Sequence, residues 1–171
     1  MSLSACTVSW VEPYDAKIAD GLETYYTDTA RFIAQMQDYA TSGDAKGQYA
    51  NAKQFYLDSG VTLDGLLMRA RVADKTGTCV GTNNKLISDL VVKLVDGAKL
   101  LKDAGDLQTA LEQRPAGNCT VQALYTVKLN NDLMAAIHQH NVTLKPLVAG
   151  IVKQTVEQGV RIALTAENSK K

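Results

Sequence analysis

The chain has 171 residues, 46% of them apolar and 21% charged, which fits one domain with a core of ordinary size. Eighteen basic and eighteen acidic residues cancel. With no basic surplus to meet a phosphate backbone, the composition argues against nucleic-acid binding. No apolar run approaches the ~20 residues a membrane-spanning helix needs, and the longest, Leu86 to Val95, is broken by Ser88, Asp89 and Lys93.

Residues 1–12 read as an N-terminal tether. Within them, Leu3-Ser4-Ala5-Cys6 has the form of a bacterial lipoprotein signal end: an aliphatic residue, two small residues and the cysteine that takes lipid. Small side chains before the cut are what a signal-peptidase pocket accepts. The charged and apolar segments of such a signal do not stand upstream, so the pattern predicts a mature domain that begins after a removed signal peptide. Met1-Ser2-Leu3 also fits an expression leader; Ser4, Ala5 and Cys6 then keep their roles. Cys6 is the predicted lipid anchor, with a periplasmic location and membrane attachment through that lipid alone.

One helical domain is expected over residues 13–167, with a frayed tail at 168–171. Pro13 suits a first helical turn, and Asp15 adds negative charge at that end. Ile18, Leu22, Tyr25, Thr29, Phe32, Met36 and Tyr39 follow in steps of four and three, one face of a helix for about six turns. Gly43 is the expected C-cap and Asp44 the N-cap of the next helix. There the stripe is Tyr49, Ala52, Tyr56, Ser59, Leu63, Leu66, Ala70 and Ala73. The short link predicts an antiparallel hairpin of two helices, each about 39 Å long.

Residues 74–82 are rich in turn formers. A third helix is expected from Asn83, with Leu86, Ile87, Leu90, Val91, Leu94, Ala98 and Leu101 on its apolar face. A break at Asp103 to Asp106, a short helix at Leu107 to Gln113 and a loop at Arg114 to Asn118 come next. From Thr120 the stripe is Val121, Leu124, Leu129, Leu133, Ile137, His140 and Leu144, which places His140 inward and His138 in solvent. Pro146 predicts a break, because a proline inside a helix removes a hydrogen bond and clashes one turn back. Thr143 is the expected cap of a last helix carrying Leu147, Ile151, Val156, Val160 and Ala163. No segment alternates with period two. The fold class is all-α, an antiparallel bundle of four or five helices.

Three cysteines leave an even pair if Cys6 carries lipid: Cys79 and Cys119. Both sit in predicted loops, and an oxidising compartment favours a bridge between them. A straight third helix would hold them more than ~40 Å apart, against the ~7 Å a disulfide allows. The bridge therefore requires residues 105–118 to fold back along that helix.

Catalytic and cofactor patterns are not found. His138 and His140 lie two residues apart and cannot share a helical face, so they form no metal pair. There is no Glu-x-x-His, Cys-x-x-Cys or phosphate loop, and no cofactor is expected. Asp58, Asp64 and Asp132 could form an acid–base group only if distant helices bring them together. Tyr25, Tyr26, Tyr39, Tyr49 and Tyr56 fall on the first hairpin, where they either flank the core or line a ligand pocket.

The run Pro13-Tyr14-Asp15-Ala16-Lys17-Ile18-Ala19-Asp20-Gly21-Leu22, with Phe32 and Met36 and then Tyr49, Phe55 and Tyr56, resembles a group of uncharacterised small helical proteins of bacteria. Several of these resemble envelope lipoproteins. The resemblance covers residues 13–72 and implies no activity and no functional residue. The expected role is protein–protein contact with an unknown partner, structural, adaptor or inhibitory; the alternative is a ligand-binding bundle with a tyrosine-lined pocket.

Overall fold

Asp15, rather than Pro13, starts the first helix. In the computed structural model, which describes residues 13–75, 77–98, 109–110 and 113–170, helix α1 covers Ala16–Ser42. The Asp15 carboxylate accepts the Lys17 N–H as its N-cap, at 3.0 Å. Ile18, Leu22, Tyr25, Thr29, Phe32 and Met36 are all buried, and Tyr39 is half-buried. Gly43 ends the helix at φ 71°, with its N–H bonded to Tyr39 O. Glycine takes that left-handed conformation without the clash a Cβ would add.

Asp44 caps a single 3-10 turn, Ala45–Gly47, and not the next helix directly. Helix α2 then covers Tyr49–Ala73 and buries Ala52, Tyr56, Leu63, Leu67 and Ala70. Helix α3 covers Gly81–Ala98 and buries Ile87, Leu90, Leu94 and Ala98. The break, the short helix and Leu101 fall wholly or mostly outside the described residues. Helix α4 covers Cys119–Asn141, capped by the Asn118 side chain on Val121 N–H.

The expected break before Pro146 is present, with a different cap. Val142 takes φ 65°, unusual for a β-branched residue. Tyr49 N–H holds it there by donating to Val142 O at 2.9 Å. Helix α5, Pro146–Asn168, starts with Pro146 in its first turn and Lys145 at the cap position. Thr143 does not cap it; it forms a β-bridge with Gln48 across the bundle end. In the tail, Ser169 Oγ donates to Ala166 O at 2.8 Å, and Lys170 turns back onto Glu167.

The fold is all-α. Among the described residues there are five α-helices and no strand. Helices α1, α2, α4 and α5 form a ring of antiparallel neighbours, and α3 lies against both α4 and α5. The first hairpin is not the main contact: α1 packs chiefly on α5, and α2 chiefly on α4. A Cβ on Gly159 would stand 3.2 Å from Val127 and 3.4 Å from Leu90, so a glycine is what lets α3, α4 and α5 meet there.

Candidate functional site

One end of the bundle is closed covalently. Cys79 and Cys119 form a disulfide with Cα atoms 4.5 Å apart. The separation expected for a straight third helix does not arise: Cys119 opens α4 beside Cys79, just before the start of α3. Asp74 ties the two loops together, accepting from Gly77 N–H at 2.9 Å and Asn118 N–H at 2.8 Å.

A fully buried carboxylate lies at the same end. Glu167 accepts the Asp15 N–H at 2.6 Å and the Thr120 hydroxyl at 2.9 Å, and pairs with Lys170 Nζ at 2.9 Å. Asp15 in turn accepts from Arg69 on α2. Partial burial pushes the Asp15 carboxyl up, but hydrogen bonds from Arg69 and Lys17 outweigh it and hold the group below the ordinary value. Sequence reasoning missed Glu167; its signal is its place four residues after Ala163 on the buried stripe.

The other end holds an aromatic cluster around a histidine. His138 is fully buried and His140 is exposed, the reverse of expectation. Leu133 is buried as expected, but beyond it the inward positions are Met134 and His138, with Ile137 half-buried and His140 in solvent. His138 Nε2 is 2.9 Å from Gly47 O, and Nδ1 is 2.8 Å from Tyr56 Oη. A carbonyl only accepts, so Nε2 carries the hydrogen and Nδ1 accepts from the Tyr56 hydroxyl. Phe32 stacks on Phe55 at 3.8 Å and meets Tyr56 edge-on at 5.3 Å. Burial pushes the Tyr56 phenol up, helped by Tyr49 and Tyr25.

Burial also lowers the His138 pKa, against the Gly47 hydrogen bond that raises it. The unfolded chain takes up a proton near pH ~6.5 and the native state resists it, so stability rises with pH through this range. We expect urea unfolding midpoints to fall as pH drops from neutral toward 5, and His138→Gln to flatten that dependence. Parallel slopes in the two proteins would assign it to another group.

The five tyrosines do not all line one pocket. Tyr49 and Tyr56 belong to the histidine cluster. Tyr39 lies against Gly47, with Lys46 Nζ 6.0 Å from its ring centre. Tyr26 is half-buried at the core margin. Tyr25 is buried, and burial raises its pKa. Of the five, Tyr25 alone lines the groove of about 340 Å³ between α1 and α2. Phe32 and Phe55 wall that groove, and Asp28, Arg31 and Asp58 give it polar lining. Of the three aspartates, Asp58 stands apart from the other two. Asp64 and Asp132 share Lys128 at 3.6 and 3.4 Å, whereas Asp58 accepts from Gln54 at 2.8 Å. Among the described residues no three metal-ligating side chains come together, and no helix is long and apolar enough to cross a membrane. Cys6 lies outside the described residues.

The least expected feature is on the outer face of α2. Leu57, Val61, Met68 and Val72 are 52%, 73%, 68% and 83% exposed. They form a second apolar stripe on the side opposite Tyr56, Leu63 and Ala70. Gly65 lies within it, and a Cβ there would meet nothing within 4 Å. The signal was available as a series of four-residue steps, but only the inward stripe of α2 stands out when one apolar face is sought. Compared with protein families, curated proteins and solved structures, the chain matches none.

Proposed function

We propose that this protein is a helical bundle of the bacterial envelope, anchored by lipid on Cys6, that works by protein–protein contact. The observation that carries the reading is the outer stripe of α2. Exposed apolar side chains scattered singly are ordinary, but four aligned along one helix mark an interaction face. A rigid bundle stapled by a disulfide suits a scaffold or adaptor that presents such a face. The Leu3–Cys6 pattern supports attachment at the N-terminal end.

The test is a photo-reactive residue at Val61 in protein made from its own gene in its own cells. A discrete cross-linked product is expected at Val61 and not at Lys153, an exposed position on α5. Cys6→Ser is expected to move the protein from the membrane to the soluble fraction. Equal labelling at both positions would defeat the contact reading; unchanged fractionation would defeat the anchor.

A further inference from the structure

We propose that the occupant of the α2 face is a second copy of this chain, paired through an antiparallel α2–α2 contact about a two-fold axis. The inference rests on the reading of that face as a contact surface and names its partner.

The stripe has the symmetry that self-pairing requires. Leu57 and Val72 are equally far from the midpoint between Asp64 and Gly65, and so are Val61 and Met68. A two-fold axis at that midpoint sets Leu57 against Val72 of the second copy, and Val61 against its Met68, each twice. An isologous interface must match itself in this way, whereas a different partner imposes no such order.

The midpoint is also where two helices can come close. Gly65 offers backbone with open space in front of it. The steps 57–61–65 and 64–68–72 form two parallel ridges of four-residue spacing. Ridges of that kind interlock at a crossing angle near −50°.

The flanking charges agree. Asp58 and Arg69 lie on the same flank of the stripe, on opposite sides of the midpoint. A two-fold axis perpendicular to the helices keeps each flank facing its own counterpart. Asp58 of one copy then meets Arg69 of the other, at both ends of the contact. The Arg69 side chain is 46% exposed although its Nε binds Asp15. On the other flank Asp64 nears its counterpart, but each carries its own Lys128 at 3.6 Å, so the two carboxylates meet compensated.

A single helix pair buries less than the ~1,600 Å² of a standard interface, so association in dilute solution is weak. Confinement of both copies to one membrane surface raises their effective concentration and favours the pair.

The test uses the whole chain with Cys6→Ser, which leaves the bridged Cys79 and Cys119 as its only other cysteines. Gly65→Cys is expected to give a covalent dimer under mild oxidation much faster than Lys153→Cys. Sedimentation over rising concentration is expected to show the mass doubling, and Met68→Glu, at an exposed position, to weaken this by at least about tenfold. A monomer at every concentration, with Gly65→Cys no faster than Lys153→Cys, overturns self-pairing. The Val61 photo-adduct separates the two readings. An adduct of twice the chain mass supports self-pairing. An adduct of any other mass overturns it while the contact reading stands, and no adduct overturns both.

Discussion

Replacing Cys79 and Cys119 together by alanine is expected to lower the thermal midpoint by roughly 8–16 °C. The bridge spans a sequence separation of 40 residues. Loss of its constraint on the unfolded chain costs about 4 kcal/mol by the chain-entropy argument. A chain of this size loses about 2–4 °C per kcal/mol. The native packing has little reason to change, because Asp74 still joins the same two loops through Gly77 N–H and Asn118 N–H. The helical signal by circular dichroism should therefore survive in the variant at room temperature. Dithiothreitol added to the parent protein should reproduce the shift. A midpoint within about 3 °C of the parent, which is below 2 kcal/mol on the same scale, would mean that the unfolded chain is already compact around these loops.

The pairing of those cysteines was readable from parity alone, once Cys6 was set aside for lipid. Helix α1 was readable for a different reason: it buries one face, so its apolar residues fall on one stripe. Helix α4 was harder. From Thr120 to Met134 it is buried nearly all round, because α2, α3 and α5 all pack on it. A helix enclosed in this way has no single stripe, so the inward face could not be extrapolated past Leu133, and His138 and His140 were exchanged. In α5 the expected face was led by large side chains. It holds at Val156, Val160 and Ala163, but Leu147 and Ile151 are 80% and 58% exposed, and the inward positions of the first turns are Ala149 and Val152. Close helix packing selects small residues there, and a search for large aliphatic residues passes over them. The outer stripe of α2 is obscured because this helix carries apolar residues on two faces, so no single stripe stands out. The tyrosines share a hairpin but not one face: Tyr25 and Tyr56 are buried in the core, and Tyr26, Tyr39 and Tyr49 lie at its margin.

Glu167→Ala is expected to cost roughly 3–5 kcal/mol, the range for removing one member of a buried ion pair. The size follows from what one carboxylate holds. Its Oε1 takes the Asp15 N–H at the start of α1, and its Oε2 takes the Thr120 hydroxyl at the start of α4 and the Lys170 ammonium beyond the end of α5. Asp15 carries the connection to Arg69 near the end of α2. Four helix ends are thus joined through one fully buried side chain. Alanine leaves the Asp15 N–H and the Thr120 hydroxyl without this acceptor, and takes the counter-charge from an ammonium on a side chain only 10% exposed. Two milder variants divide the effect. Thr120→Val removes one hydrogen bond at nearly constant shape and should cost about 1 kcal/mol. Glu167→Gln keeps the shape and an acceptor but removes the charge, and should fall between the other two. Urea unfolding of the three variants measures the order. If Glu167→Ala costs no more than Thr120→Val, the carboxylate is a tolerated buried charge and not the tie between the helix ends.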